Sequence, residues 1–385
     1  MAPMKVALLG PTYPHRGGIA HYTTLLSRAF AERIGADSLS MVSFSRLYPG
    51  LLFPGTTQFD ESGEALRPPV EPAAMLDSIA PHTWFAAGKR LREAKADLLV
   101  VPWWHPFFGP SLGVAARAAR PRGAAGPKRV FLCHNVEPHE ATPLDRALSA
   151  YGLGAADGFL VHARAEEARL KRRADGRPIR VHPHPTYEVF SRTPPSRDAA
   201  RATVGARGKT ILFFGYVRPY KGLADLLEAL RLARPDAWDT LLVVGEFYES
   251  RDRYATALDD PALRGKVTVV DRYVANEEVA TYFAAADVVA LPYRSATGSG
   301  IAQVAYGAGV PVIATRTGGL EEVVEEGKTG LLVPAEDPAS FARAVERYFD
   351  GNLAAPLREG VALARERYSW GALVEALLDL ARECR

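Results

Sequence analysis

Two cations follow an apolar run near the middle of the sequence. The run 210–214 leads into GYVRPYKG, which carries Arg218 and Lys221. If the run is a strand of a parallel sheet, both side chains lie at its carboxyl end, where open α/β sheets bind ligands. Two fixed cations match the two charges of a diphosphate. A solvated turn accounts for the same residues equally well.

A glycine pair follows the first apolar run of the chain. Gly17 and Gly18 come after a basic residue in HRGG, where a helix is predicted to begin. Paired glycines let the backbone approach an anionic or hydroxylated ligand, and a helix start presents unpaired amides and a positive dipole end. A plain strand-to-helix turn explains one glycine more readily than two. The spacing differs from the G-x-G-x-x-G of dinucleotide sites.

A third loop, with the sequence SATGSG, precedes another predicted helix. Thr297, Gly298, Ser299 and Gly300 combine flexible backbone with two hydroxyl groups. Backbone amides at a helix start form a cradle for anions, and the hydroxyls add donors. The sequence predicts an anion site here.

The elements that position these motifs are predicted from alternating apolar runs and amphipathic stretches. Apolar runs at 5–9, 97–101, 129–133 and 158–161 are separated by helix-like segments, and a second such series extends from 210 to 333. Continuous apolar strands that alternate with helices indicate parallel sheets covered on both faces. We therefore predict an α/β protein with two doubly wound, Rossmann-like domains.

The domain boundaries follow from chain length and composition. With 385 residues, the chain exceeds the size at which a single hydrophobic core usually stops growing. A stretch rich in proline, serine and arginine, 183–208, interrupts the apolar pattern and suits an interdomain connection. We predict an N-terminal domain at 1–190, a linker at 191–208 and a C-terminal domain at 209–365.

The charge balance argues against nucleic-acid binding. The chain has 47 basic and 44 acidic residues, a formal net charge of +3. Basic residues concentrate at 88–95, 117–129 and 169–180, as solvated faces or as a surface for anionic lipid or an anionic acceptor. The two cysteines suit a reducing compartment, and no stretch reaches the ~20 apolar residues of a spanning helix. We expect a cytoplasmic protein that contacts the inner membrane surface peripherally.

Taken in order, these motifs resemble glycosyltransferase family 4 over almost the whole chain. The Gly-Gly turn, the R-x-x-K loop, the strand GVPVIAT and the segment GGLEEVVEEGKTGLLVPAEDP occur in the family's sequence order. The resemblance implies a GT-B fold, in which two Rossmann-like domains face each other across a cleft. It also implies that the chain end, 366–385, crosses back to pack on the first domain.

The resemblance assigns the donor, a nucleotide-diphosphate sugar, mainly to the second domain. Arg218 and Lys221 would contact its diphosphate and act in catalysis, with Gly215 and the loop 297–300 beside them. Gly17 and Gly18 would face the donor phosphates from the first domain.

The acceptor and the reacting sugar are assigned to the first domain. His134, in CHNVEPHE, occupies the place where the family has a histidine beside the reacting sugar, although a packed loop histidine is the alternative. Trp103 and Trp104 follow a predicted strand where family acceptors enter, and core packing is the alternative for them. An acceptor glycan, a lipid-linked glycan or a small molecule would fit this assignment.

The sequence departs from the family at one important place. Members usually carry two glutamates at E-x7-E, which contact the donor sugar and the ribose, but these positions are Ala296 and Val304 here. Two charged hydrogen bonds, each worth about 1.5–3 kcal/mol, are therefore absent. Glu322 could reach the site, and a carboxylate stabilising its own helix start is an equally good account.

The implied reaction is a transfer that retains the anomeric configuration and needs no metal or other cofactor. The leaving diphosphate would be stabilised by Arg218, Lys221 and backbone amides. Two alternatives stay open: a weakly active or inactive protein that binds sugar nucleotides or glycans, and a sugar-nucleotide epimerase on the same fold.

Overall fold

The structure is a computed structural model that describes residues 4–50, 57–62, 66–121, 123, 125–136, 142–191, 193–296 and 298–384. The chain divides into two compact units. The first comprises Met1–Glu61, Ala65–Pro183 and Trp370–Arg385, and the second comprises Ser62–Glu64 and His184–Ser369.

The first unit contains a seven-stranded parallel sheet with the order β3-β2-β1-β4-β5-β6-β7. Its strands are β1 (Val6–Leu9), β2 (Leu39–Arg46), β3 (Ala73–Asp77), β4 (Leu98–Trp103), β5 (Lys128–Cys133), β6 (Gly158–Val161) and β7 (Ile179–Val181). Its helices include α1 (Gly18–Ile34), α2 (Pro81–Glu93), α3 (Gly109–Ala119), α4 (Pro143–Leu153) and α5 (Arg164–Lys171). Every residue of β1, β4 and β6 is buried, as expected for strands covered on both faces.

The second unit contains a six-stranded parallel sheet with the order β10-β9-β8-β11-β12-β13. Its strands are β8 (Thr210–Phe214), β9 (Thr240–Val244), β10 (Val267–Val270), β11 (Val288–Leu291), β12 (Val312–Thr315) and β13 (Gly330–Val333). Its helices are α6 (Arg197–Val204), α7 (Leu223–Leu232), α8 (Ala255–Leu258), α9 (Asn276–Ala285), α10 (Gly300–Gly307), α11 (Leu320–Val323), α12 (Pro338–Asp350) and α13 (Ala354–Arg367). Two Rossmann-like parallel sheets confirm the predicted α/β architecture.

The C-terminal helix α14 (Trp370–Glu383) belongs to the first unit, as the sequence predicts. A buried stripe that includes Leu373, Leu377 and Leu380 packs it against α1 and strands β5 to β7. Its outer face pairs Glu375 with Arg33. The helix therefore completes the hydrophobic core on one face of the first sheet.

The two units divide at Pro183, earlier in the chain than the linker predicted at 191–208. Helix α6 occupies the middle of that segment and packs on α9 inside the second unit. Arg197 and Arg201 of this helix each lie 2.8 Å from a carboxylate oxygen of Asp287, the residue before β11. Helix α6 is therefore part of the second unit and is held there by side-chain ion pairs, although the proline-rich composition of the segment suggested a linker.

Within the described residues, no helix is both long and apolar enough to cross a bilayer.

Candidate functional site

Each sheet has one point where the strand order reverses, and the predicted motifs lie beside these two points. In the first unit the reversal falls between β1 and β4, and in the second between β8 and β11. Loops that leave neighbouring strands in opposite directions open a crevice at the carboxyl ends, where ligands bind in open α/β sheets. The glycine pair follows β1, while the R-x-x-K loop follows β8 and the SATGSG loop follows β11.

The glycine pair leaves open space at the start of α1. Gly17 has φ +104°, a region that favours glycine, and no side chain caps the helix that begins at Gly18. Among the residues that the structure describes, no atom lies within 4 Å of a Cβ atom built on either glycine. The first amides of a 17-residue helix therefore face an open space at this end of the sheet.

Lys221 is buried at the carboxyl end of β8. Its side chain is 7% exposed and lies against Gly215, where a Cβ atom would come within 2.9 Å of Nζ. Burial, and then the nearby charge of Arg218, lowers the pKa of Lys221 to about 7. Gly222 ends this loop with φ +69°, and a Cβ there would lie 1.9 Å from the Pro292 carbonyl oxygen, so only glycine fits.

Arg218 lies in the same loop and is exposed. Its guanidinium stacks over the ring of Tyr248, 4.7 Å from the centroid. Within the described residues, neither Arg218 nor Lys221 forms an ion pair with a carboxylate. Two cations without counter-ions at a strand end favour binding of an anion.

The loop after β11 contacts the loop after β8. The amide of Arg294 donates to the carbonyl of Tyr220 at 2.7 Å, and the side chain of Ile301 reaches Gly215. Gly298 and Gly300 are open to solvent, with no atom nearer than 3.9 Å to an added Cβ. The two loops of the second unit that the sequence singled out therefore lie side by side.

Two residues of the SATGSG loop need separate comment. The Ser299 hydroxyl accepts from the amide of Ala302 at 3.2 Å, so it caps α10 instead of standing open for a ligand. Thr297 lies outside the described residues. Glu322 is exposed in the first turn of the four-residue helix α11.

The positions of the missing acids are filled by packed apolar side chains. Ala296 and Val304 are each 6% exposed. A carboxylate introduced at either place would enter an apolar environment. Both positions therefore hold buried apolar side chains.

His134 directly follows β5, and its amide donates to the Trp103 carbonyl at 2.8 Å. Its ring is partly exposed and meets the edge of the Tyr22 ring, with centroids 4.3 Å apart at an angle of 87°. The Tyr22 hydroxyl lies 3.0 Å from Nε2 of His162, the residue after β6. Sequence reasoning missed Tyr22 and His162, although His162 has the same position after an apolar run as His134.

The prediction that Trp103 contacts an acceptor is wrong, because its side chain is fully buried. The ring packs so closely on α4 that a Cβ at Gly152 would lie 2.5 Å from it. Trp104 is partly exposed, and its indole N–H donates to the Tyr48 hydroxyl at 3.3 Å. Tyr48 in turn stacks on Phe107, which is also partly exposed. An aromatic surface of Tyr48, Trp104 and Phe107 therefore remains at this strand end.

Comparison with known proteins agrees with this geometry. The family model described as "Glycosyl transferases group 1" matches residues 208–350. The chain is 28% identical to the D-inositol 3-phosphate glycosyltransferase 1 of Catenulispora acidiphila over 95% of its own length and 90% of the relative's. The matched segment lies within the second unit, and the comparisons together support a glycosyltransferase of the family 4 type. The corresponding enzyme of Saccharomonospora viridis is 32% identical, but this match spans only 59% of the chain and 56% of the relative.

Solved structures show the same fold. Sucrose-phosphate synthase from Thermosynechococcus elongatus aligns with a TM-score of 0.73 and 21% identity, covering 98% of both chains. Anabaena Alr3699/HepE, solved in complex with UDP and glucose, aligns with a TM-score of 0.74 and 18% identity over 98% of this chain and 100% of its own. The architecture is GT-B.

The burial of Lys221 leads to a prediction about how the stability of the protein depends on pH. Its folded pKa of about 7 lies below the ordinary value of 10.5, so the unfolded chain binds more protons between these values. Stability contributed by this group must then rise with pH across that range. Lys221→Met should raise the free energy of unfolding at pH 7, and its advantage should shrink by up to about 1.4 kcal/mol per pH unit towards pH 9.

Thermal and denaturant unfolding of the natural protein and of Lys221→Met at several pH values measures this difference in stability. The matched control is Lys328→Met, since the Lys328 side chain is 74% exposed and removing it should cause no such trend. An advantage of Lys221→Met that stays constant from pH 7 to 9 would contradict the assignment.

Proposed function

We propose that this glycosyltransferase moves a hexosyl group from a nucleoside-diphosphate sugar to an acceptor hydroxyl with retention of anomeric configuration. The observation that carries the proposal is the pair Arg218 and Lys221 at the reversal point of the second sheet, two cations for which the described part of the chain offers no carboxylate partner. Anabaena Alr3699/HepE, which has the same fold, was solved with UDP-glucose. We therefore assign the donor to the second unit.

The chemistry proposed for these residues is stabilisation of the leaving diphosphate. As the glycosidic bond to phosphate breaks, negative charge grows on the phosphate oxygens. An ammonium group in a low-dielectric environment interacts more strongly with that negative charge than one in water does. The same interaction raises the pKa of the lysine. Arg218, at the exposed rim, adds a second donor group. The acceptor oxygen bonds to the anomeric carbon on the sugar face from which the diphosphate leaves, and the hydroxyl proton passes to the leaving phosphate oxygen; the proposed step uses no metal.

Donor recognition is proposed to rest on backbone amides more than on carboxylates. Gly298 and Gly300 leave the backbone accessible, whereas the side chains of Ala296 and Val304 cannot accept hydrogen bonds. Such a loop can hold a diphosphate but cannot grip the ribose diol as a carboxylate does. For the acceptor, the aromatic surface of Tyr48, Trp104 and Phe107 fits an apolar, lipid-linked or ring-shaped group better than a highly charged one.

A non-catalytic sugar-nucleotide-binding protein is the second candidate, because Ala296 and Val304 replace both acids. Steady release of nucleoside diphosphate when donor and acceptor are offered together identifies an enzyme. Tight nucleotide binding without any release, across uridine, guanosine and adenosine diphosphate sugars, identifies a binding protein.

The first prediction from this proposal concerns the two cations. Replacing Arg218 and Lys221 together by alanine should abolish transfer, because both groups contact the diphosphate, while the fold stays intact. Nucleoside diphosphate release measures turnover, and circular dichroism monitors folding. Arg343→Ala with Lys328→Ala is the control, since it removes two cations from the surface of the second unit and leaves the R-x-x-K loop unchanged. Normal turnover by the Arg218 and Lys221 double variant would refute the assignment.

The second prediction concerns the ribose. Without a carboxylate at position 304, the protein should distinguish ribose from 2′-deoxyribose forms of its nucleotide by less than tenfold, under ~1.4 kcal/mol. Isothermal titration with uridine diphosphate and its 2′-deoxy form, or with whichever base binds best, measures this. Val304→Glu should destabilise the fold instead of tightening binding, because the added charge is buried. Strong discrimination by the natural sequence would mean that another residue holds the diol.

We also propose that helix α2 brings the first unit to an anionic membrane surface. Phe85 is 61% exposed and nearby Ile79 is 48% exposed. Lys89, Arg90 and Arg92 are exposed on the same helix, with Glu93 as its acidic residue. An exposed aromatic ring flanked by cations is the pattern of a peripheral lipid contact.

Vesicle sedimentation tests this surface. The protein should bind phosphatidylglycerol vesicles more than phosphatidylcholine vesicles, and added salt should weaken binding because it screens the cations. Phe85→Ser should reduce binding. Leu363→Ser is the control, since Leu363 is a similarly exposed apolar residue, 65% exposed, in the second unit. Equal loss in both variants would contradict a specific α2 surface.

A further inference from the structure

Three histidines directly follow three neighbouring strands of the first sheet. His134 follows β5, His162 follows β6 and His182 follows β7. The amide of His134 donates to the Trp103 carbonyl at 2.8 Å, and that of His182 donates to the Val161 carbonyl at 2.9 Å. Strand pairing therefore continues one residue past the strands and holds the backbone of these histidines at a common edge.

The hydrogen bonds of His162 define which of its ring nitrogens carries the proton. Nδ1 lies 2.9 Å from the carbonyl oxygen of His182, which can only accept, so Nδ1 donates. In the neutral ring Nε2 is then an acceptor, and it receives the hydroxyl proton of Tyr22 at 3.0 Å. Tyr22 and His162, 140 residues apart in the sequence, are thus joined with defined donor and acceptor roles.

Tyr22 lies in α1, one turn after the glycine pair, and is fully buried. Its ring is fixed on several sides. The ring of Trp370 packs on it with centroids 4.9 Å apart, and its hydroxyl is held by His162. The edge contact at 4.3 Å with His134 therefore comes from a ring that has little freedom to rotate.

We propose that Tyr22 and His162 are positioning residues for His134. Together they would hold the His134 ring in one orientation and connect it to the helix start at Gly17 and Gly18. The inference rests on the proposed function, in which His134 lies beside the reacting sugar. Neither positioning residue takes a proton from the substrate or contacts it.

The structure offers a matched control in the second unit. The hydroxyl of Tyr348, on α12, donates to the Asp287 carbonyl at 2.7 Å, and the residue is buried as Tyr22 is. Tyr348→Phe and Tyr22→Phe both delete one buried hydroxyl and its hydrogen bond without changing the ring. A general loss of stability should appear in both variants, whereas a loss of positioning should appear only at Tyr22.

The kinetic experiment uses the full chain with the donor and acceptor that support transfer. Tyr22→Phe should lower kcat by about tenfold or more, with KM for the donor changed less than about threefold, because a small misplacement impairs the chemical step more than binding. Tyr348→Phe should stay within about twofold of the natural kcat. His162→Leu breaks the same hydrogen bond from its other end, and should reproduce the Tyr22→Phe loss.

A double-mutant cycle decides whether Tyr22 acts through His134. In a His134→Ala background, Tyr22→Phe should lower kcat by less than about twofold further, since the group that it positions is already absent. If the fold-losses of kcat caused by the two substitutions multiply independently, Tyr22 does not act through His134 and the proposal is overturned.

A measurement without activity separates this inference from the proposed function. Imidazole NMR of the unliganded protein should show His162 protonated at Nδ1, and Tyr22→Phe should shift the His134 ring signals while Tyr348→Phe leaves them in place. Absence of transfer by the natural protein would refute the proposed function, and the NMR comparison would still test the positioning. Unchanged His134 signals in Tyr22→Phe would overturn the inference.

Discussion

Burial of parallel strands on both faces is the constraint on which the rest of this structure depends. Strands such as β1, β4 and β6 have no exposed residue, so their backbone polar atoms are committed to neighbouring strands and their side chains to the core. Chemistry can then reside only where the strands end. The glycine pair, His134 and the loop with Arg218 and Lys221 all lie just past the carboxyl ends of strands.

The same constraint explains the opposing demands on Lys221. A cation that is to stabilise a developing phosphate charge works best where water is excluded, but burial makes its own charge costly in the absence of the ligand. Lys221 is buried within the loop that ends at Gly222, and burial lowers its pKa to about 7. Stability and the proposed function thus conflict at this residue, which is common where a site is organised before its ligand arrives.

The sequence predicted the local surroundings of the site better than its packing. Arg218 and Lys221 were correctly placed after a strand, because an apolar run followed by Gly, Arg, Pro and Lys is a local signal. Trp103 and Trp104 show that the packing of a side chain could not be predicted from its residue type and local sequence. They are neighbours of identical type, and a strand directs alternate side chains to opposite faces, so one packs in the core against α4 and the other stays partly exposed.

By itself, the sequence determined the alternation of strands and helices, the membership of the C-terminal helix in the first unit through the family resemblance, and the loops that follow β1, β8 and β11. These depend on periodicity, turn residues and motif order, which neighbouring residues encode. Only the tertiary structure decided that Ser299 caps its own helix and that Tyr22 meets His162. The Tyr22–His162 contact joins residues 140 positions apart, and such a partnership depends on how α1 and β6 are brought together, which no local pattern contains.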